Sequence, residues 1–397
     1  MNREALAERN RLLAEAYHAQ SVRHRLRSRV LRLAASFPFA PMAASQPRVL
    51  IIRPDHIGDL LLTTPAIHAL KRALPHVDIH VLAGPWAAGI LQTNPDVSQV
   101  FTVRFPGFDR AAAKHHPLQP YYLLLKTSRQ LRAIGYTTAI VMRPDHWWGA
   151  LLAHAAGIRE RIGYALPQVA PFLTRAVPFT AAHSVRQSLK LVEYATGPLP
   201  DNEIEFSLPV AAGDALFVED WLASIGADSD QRWVCIHAGA STWAKQWEAE
   251  RWAQLADALT EHFDVRVIFT GTASEKPLVE HILMQARLAH INAAGAMALG
   301  GLAALYQRSS LVIGCDSGPM HIAAAVHTPT ITLFGPANPL EFAPWGDRQR
   351  HLLLMSSIGC RPCRVLDWGD DPPAYHPCLR DITVRDVLAC AGRLLHL

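Results

Sequence analysis

Residues 48–71, RVLIIRPDHIGDLLLTTPAIHALK, restrict the fold more than any other stretch. Val49-Leu50-Ile51-Ile52 is a short apolar run rich in β-branched residues. Pro54 and Gly58 break it. From Leu60 an apolar stripe returns at helical spacing through Leu61, Pro65, Ala66 or Ile67, and Leu70. Strand, tight loop, helix is the first step of a doubly wound α/β domain. Ligands of open parallel sheets bind outside the carboxyl ends of the strands, so Asp55, Asp59, Thr63 and Thr64 are expected to face a crevice. A carboxylate there can act as a base, a ribose acceptor or a helix cap.

The same alternation continues. Ile79–Ala83, Val97–Val103 and Thr138–Met142 read as further strands, and Arg159–Tyr164 as a late strand-turn. Behind Thr138–Met142 stands Arg143-Pro144-Asp145-His146-Trp147-Trp148. This cluster reads either as a sugar contact, because aromatic rings stack on sugar faces, or as a helix cap followed by ordinary core packing. Between Ser184 and Pro209 the texture turns Pro-rich and loses its period, which puts a domain boundary near residues 195–210. A second series follows. Its strands are Trp233–His237, Val265–Phe269, Leu311–Ile313 and Thr330–Phe334. Its helices are Asp214–Ile225, Glu250–His262, Lys276–Ala289, Gly301–Arg308, Pro319–Val326 and, last, Arg385–Leu395. The expected organisation is therefore an N-terminal helix and linker over 1–46, a Rossmann-like domain over 47–200 and a second over 201–397, with a cleft between the two.

Bulk properties agree with that plan. A chain of 397 residues, half of them apolar and only 18% charged, can bury two cores and is not broadly disordered. Nine Arg and three Glu fall in residues 1–50, which leaves 29 basic against 31 acidic residues elsewhere. The basic character thus belongs to the N-terminal segment, and a nucleic-acid groove is not expected. Within residues 1–35, Val22, Leu26, Val30 and Leu33 form a helical stripe flanked by Arg23, Arg25, Arg27, Arg29 and Arg32. It reads either as a basic amphipathic helix resting on anionic lipid headgroups, or as an extension that packs on its own domain or another subunit. No run of about 18 apolar residues and no apolar signal-peptide core occur, so neither a membrane span nor a leader is expected. Six Cys suit a reduced cytosol better than a disulfide scaffold.

Three segments carry candidate chemistry beyond the opening stretch. Cys315-Asp316-Ser317-Gly318-Pro319-Met320-His321 leaves a strand and opens a helix, with proline in the first turn where it is tolerated. The free N–H groups and dipole of such a turn make an anion site suited to a diphosphate. Asp316 and Ser317 also suit a plain N-cap. Upstream, His237-Ala238-Gly239-Ala240-Ser241-Thr242-Trp243-Ala244-Lys245-Gln246-Trp247 turns out of another strand through Gly239 and presents Ser241, Thr242 and Lys245 at its end; the lysine reads as a phosphate-holding charge or as a solvated surface lysine. Cys360, Cys363, Cys378 and Cys390 read either as a structural zinc or iron site or as free thiols, and Cys390 falls inside the expected final helix. No G-x-G-x-x-G follows the first strand, which disfavours a nicotinamide enzyme.

R-x-D-x-I-G-D-x-L-L-T-T-P-A with H-A-L-K, and then D-S-G-P-M-H-x-A-A-A with P-T-x-x-L-F-G-P some 250 residues later, resemble glycosyltransferase family 9, the bacterial heptosyltransferases of lipopolysaccharide core assembly. The G-A-S segment with its K-x-W pair is similar as well. The resemblance spans roughly residues 48–390. It implies the GT-B architecture, with acceptor on the N-terminal domain and donor on the C-terminal one. It implies inverting transfer of heptose from ADP-heptose, or a similar nucleotide sugar, to a lipid-linked saccharide acceptor at the cytoplasmic face of the inner membrane, with no cofactor needed for catalysis. Carried over residue by residue, Asp59 is the general base, with Asp55 second choice and Thr63 beside the acceptor. Lys245 is catalytic through the departing diphosphate. Ala240, Ser241, Asp316, Ser317, Gly318 and His321 bind the donor, Glu275 its ribose, and Met297 lies beside the adenine. The late cysteine cluster is also similar to one in many members. The alternatives are another nucleotide sugar, a protein or exopolysaccharide acceptor, or a catalytically silent binding protein.

Overall fold

The computed structural model describes residues 46–109, 118–226, 231–366 and 377–396, together with Glu8, Ala35, Ser36 and Phe39. The stripe Val22, Leu26, Val30 and Leu33 with its flanking arginines lies outside the described residues. Among these, contacts divide the chain into two compact units between Glu205 and Phe206.

The first unit runs β1 (Arg48–Arg53), α1 (Ile57–Leu61), α2 (Thr64–Ala73), β2 (Asp78–Ala83), β3 (Gln99–Thr102), α3 (Gln119–Ile134), β4 (Thr138–Val141), α4 (Trp147–Ala155), β5 (Glu160–Tyr164), β6 (Arg175–Val177), α5 (Ser184–Lys190) and α6 (Glu193–Thr196). Its six strands are parallel in the order β3-β2-β1-β4-β5-β6. A parallel sheet is covered on both faces, which is why β1 and β4 read as continuous apolar runs and are buried almost throughout. Leu50, Ile52, Ala139 and Val141 pack with Trp148, Leu152 and Phe172 in its core. Helix α4 is buried on nearly every side, from Trp148 to Ala155, as its almost wholly apolar sequence requires.

The second unit runs α7 (Ala212–Ser224), β7 (Trp233–His237), α8 (Ala249–Phe263), β8 (Arg266–Thr270), α9 (Lys276–Leu283), β9 (Ile291–Asn292), α10 (Leu299–Arg308), β10 (Leu311–Cys315), α11 (Gly318–Ala325), β11 (Thr330–Phe334), α12 (Pro339–Phe342), β12 (His351–Met355), α13 (Pro377–Arg380) and α14 (Val384–Leu395). Its strands are again parallel, ordered β12-β11-β10-β7-β8-β9. Val234, Ile236 and Phe269 pack against Trp252, Leu255 and Leu259 of α8 and Val387, Ala391 and Leu394 of α14. A capping box starts α14, with Asp386 N donating to Thr383 Oγ1 (3.2 Å) and Thr383 N to Asp386 Oδ2 (2.9 Å).

Counted from its first strand, each sheet has the order 3-2-1-4-5-6, with a topological switch point between β1 and β4 and between β7 and β10. One expected helix is cut short. Lys276–Ala289 ends at Leu283, because the buried Asp257 carboxylate accepts from Arg287 N (2.9 Å), Leu288 N (3.0 Å) and His290 Nε2 (2.9 Å). Backbone N–H groups taken by a side chain are lost to the helix ladder.

Candidate active site

In the first unit every candidate polar group belongs to the ends of β1 and β4. Arg53 closes β1 and is buried. Its Nε lies 2.8 Å from Asp55 Oδ2, its Nη1 donates to Met142 O (3.1 Å), and its Nη2 reaches Asp59 Oδ1 at 3.4 Å. Arg143 pairs with Asp55 Oδ1 from the β4 side and with Asp145 Oδ1 at 2.6 Å. Asp55 is thus clasped by two guanidinium groups. Burial alone would raise its pKa, but Arg53 and Arg143 outweigh burial and hold it below the usual carboxylate value. Asp59, in the first turn of α1, has a side chain 31% exposed against 4% for Asp55. Of the two motif carboxylates, Asp59 is the more exposed.

Thr63 and Thr64 depart from expectation. Both are buried, and their hydroxyls donate back to Asp59 O (3.0 Å) and Leu61 O (2.8 Å). A hydroxyl bonded to a carbonyl three or four residues earlier serves the helix, so neither faces a crevice. In the aromatic cluster, His146 and Trp148 are core residues. His146 lies edge-on to Phe105 and Phe108 and beside Trp148, and its pKa is driven down to about 3, chiefly by burial. Trp148 Nε1 donates to Pro120 O (3.1 Å). The core-packing reading therefore holds for these two, while Arg143, Asp145 and Trp147 are less buried.

In the second unit the candidates follow β7, β8 and β10. Lys245 Nζ donates to Asp316 Oδ2 at 2.6 Å, which ties the loop after β7 to the loop after β10 across the switch point. Ser317 is the N-cap of α11 but makes no side-chain cap bond, and Pro319 stands in the first turn. Ser317 Oγ and Thr242 Oγ1 are buried with no hydrogen-bond partner. Unsatisfied buried hydroxyls are uncommon and costly, and two on adjoining loops beside a lysine and a helix N-terminus are donors suited to an anion. His321 is buried and Gly318 half-buried, whereas Ala240 and Ser241 lie towards the surface. Glu275 accepts from Thr272 N (2.7 Å) and Thr272 Oγ1 (2.8 Å), and its Oε1 lies 3.9 Å from His237 Nε2. A side chain on Gly239 would meet that oxygen at 2.0 Å, so glycine there makes room for Glu275. Met297 is half-buried and packs by Gly301.

The four late cysteines are not gathered into one site. Cys363 is hydrogen-bonded to Cys360 and feels Cys378 nearby, while Cys390 packs on α14 against the core of the unit. Among the described residues no three His, Cys, Asp or Glu side chains are grouped to hold a metal ion.

The sequence reading missed the clamp role of Arg53. A basic residue ending an apolar strand was its signal. Thr242 was read as presented at the end of that strand but is not among the residues that the resemblance carries over to the donor.

Residues 124–367 match the family model for glycosyltransferase family 9 (heptosyltransferase). The chain is 28% identical over 346 residues to lipopolysaccharide heptosyltransferase 3 of Escherichia coli, an alignment covering 85% of this chain and 96% of that protein. Among solved structures, the glycosyl transferase family 9 from Veillonella parvula DSM 2008 superposes with a TM-score of 0.72 at 23% identity, over 90% of this chain and 99% of that one. The E. coli ADP-heptose lps heptosyltransferase II gives 0.70 at 23%, over 88% and 98%.

Proposed function

The chain belongs to glycosyltransferase family 9, and from that premise we propose that it moves a heptose from ADP-heptose to a lipid-linked saccharide of the lipopolysaccharide inner core, inverting the anomeric centre. Its two Rossmann-like units have the GT-B architecture. The first unit takes the acceptor and the second the nucleotide sugar.

The observation that carries the mechanism is the unequal setting of Asp55 and Asp59. Asp55 neutralises Arg53 and Arg143 and is spent on them. Asp59 lies 3.4 Å from Arg53 Nη2 and is the more exposed of the two, at 31%. Asp59 takes the proton of the acceptor hydroxyl as its oxygen bonds to the anomeric carbon. The C–O bond to the β-phosphate breaks, and ADP leaves with the electron pair. One base opposite the leaving group suffices for inversion in a single displacement, and such a base contributes roughly 10²–10⁴-fold. The charge growing on the diphosphate is met by the N–H groups opening α11, by the Ser317 and Thr242 hydroxyls and by Lys245, which Asp316 holds in place. Each preorganised donor of this kind is worth on the order of 10²–10³ in rate. Glu275 accepts from the ribose, and Met297 lies against the base.

Titration with ADP, UDP and GDP, on wild type and on Asp59→Ala, tests both halves. ADP is expected to bind in preference to the others and equally in both proteins, while transfer from ADP-heptose falls by about 10²–10⁴ in the variant. A preference for UDP or GDP would sink the heptose assignment. Unimpaired transfer by Asp59→Ala would sink the base.

A further inference from the structure

Helix α3 exposes large apolar side chains along one face. Leu118, immediately before it, and Tyr121, Tyr122 and Leu125 are 66%, 46%, 71% and 51% exposed. Spaced i, i+3, i+4 and i+7, they share one side of the helix. The opposite side, with Leu124, Thr127, Ser128 and Leu131, is the buried one. Single exposed apolar residues are ordinary, but four in a stripe, two of them aromatic, mark an interaction surface.

The charges beside the stripe have one sign. Between Gln119 and Ile134 the helix carries Lys126, Arg129 and Arg132 and no carboxylate. Lys126 and Arg129 are exposed and continue the outward side beyond Leu125. The helix thus offers an apolar, tyrosine-bearing end followed by a cationic end, the pattern suited to a headgroup layer over acyl chains. Its location adds to this. The bond from Trp148 Nε1 to Pro120 O fastens the first turn of α3 to the first turn of α4, directly after the carboxyl end of β4. The apolar end therefore lies on the rim of the first unit that carries Asp59.

We propose that this face of α3 docks the first unit on an anionic lipid surface. Leu118, Tyr121, Tyr122 and Leu125 enter the headgroup–acyl boundary, and Lys126 and Arg129 lie against lipid phosphates. This rests on the reading above that the acceptor is lipid-linked, because an enzyme seated on the bilayer meets such an acceptor without drawing it out. A second copy of the chain is the less fitting occupant. A two-fold contact sets the same patch on itself, and the helix carries no carboxylate to meet Lys126 and Arg129.

Co-sedimentation of the full-length protein with vesicles tests it. Wild type is expected to bind vesicles of phosphatidylcholine and phosphatidylglycerol in equal parts, and pure phosphatidylcholine far less. Each cation near an anionic surface multiplies affinity about fivefold, so Lys126→Gln/Arg129→Gln should bind about thirtyfold more weakly and lose the preference for anionic vesicles. Tyr122→Ser/Leu125→Ser should lose more than about tenfold on both surfaces. The comparison is made in a background with Arg23, Arg25, Arg27, Arg29 and Arg32 changed to Gln, so that the basic N-terminal segment does not mask the effect. Wild-type circular dichroism and ADP binding establish that each variant is folded, and transfer to a soluble deacylated acceptor should be unchanged. Vesicle binding indifferent to both pairs overturns the proposal. So does a dimer that Tyr122→Ser/Leu125→Ser dissolves while vesicle binding persists. If ADP fails to bind wild type but vesicle binding responds as stated, the docking surface stands and the transferase reading falls.

Discussion

At the scale of single residues, buried polar side chains carry two opposite meanings. His146 is held neutral because its burial makes the imidazolium costly, with Asp55 only partly offsetting this. Its folded pKa of about 3 lies below the ordinary 6.5. The unfolded chain therefore binds this proton first, and the residue's contribution to stability is present above pH 6.5 and drains away as pH falls towards 3. Replacing it by Phe keeps a ring among Phe105, Phe108 and Trp148 and removes the titration. Urea melts at stepped pH should show the wild type losing stability relative to His146→Phe by about 1.4 kcal/mol per pH unit inside that window. Parallel pH curves would refute the assignment. Thr242 and Ser317, by contrast, keep buried hydroxyls with no protein partner. An unsatisfied hydroxyl costs about 1–3 kcal/mol, so Thr242→Val and Ser317→Ala should each stabilise the free protein. They should also weaken ADP, by roughly tenfold or more, since hydrogen bonds to a charged group are worth about 1.5–3 kcal/mol. A packing role would give the reverse: lower stability and unchanged affinity in calorimetric melts and titrations.

At the scale of elements, helix α4 shows where a general rule inverts. Alanine normally stabilises a helix interior over glycine by about 1 kcal/mol. At Gly149 a Cβ would stand 2.4 Å from His146 Nδ1, 2.7 Å from its Cε1 and 3.0 Å from Ile52 Cγ2. The ring is walled in by Phe105, Phe108 and Trp148 and cannot retreat. Gly149→Ala should therefore cost about 1–3 kcal/mol, read as a lowered denaturant midpoint, and an unchanged or raised midpoint would contradict this packing. Such contacts also mark what the sequence could reveal. The strand–loop–helix segments at Arg48–Lys71 and Cys315–His321 were legible because β-branched runs, Gly and Pro punctuate them locally. Strand order was not, since β1 finds β4 and β7 finds β10 only through pairing across intervening units. The pairs Arg143–Asp55 and Lys245–Asp316 were hidden for the same reason, lying 88 and 71 residues apart. Thr63 was misread because its spacing matches an exposed first turn, while its hydroxyl in fact bonds the carbonyl of Asp59. The helix from Lys276 was read too long because the acceptor that ends it, Asp257, belongs to another helix. Strands β6, β9 and β12 went unread: the first two are three and two residues long, and β12 lies on the sheet edge.

At the scale of the whole molecule, one topology is used twice with different chemistry at its switch points. The first unit gathers carboxylates and arginines that compensate one another, and leaves Asp59 accessible. The second gathers a lysine, two orphan hydroxyls and a helix N-terminus, a set of donors suited to an anion. If this division is correct, a nucleoside diphosphate acts on one unit's stability first. A ligand that binds only the folded state adds about 2.7 kcal/mol at a hundredfold excess over its dissociation constant. Amides that exchange only when the second unit opens should then slow about a hundredfold, because their opening equilibrium falls by the same factor. Amide exchange with and without ADP is therefore expected to show protection in 239–245, 271–275 and 316–321 and in the central strands β7 and β10. Strands β1 and β4 should exchange at nearly their original rates. Strong protection over Asp55–Thr64 with none at Asp316–His321 would place the diphosphate on the other sheet and reverse the assignment of donor and acceptor units. Equal protection by UDP would leave the assignment of units intact but remove adenine recognition at Met297.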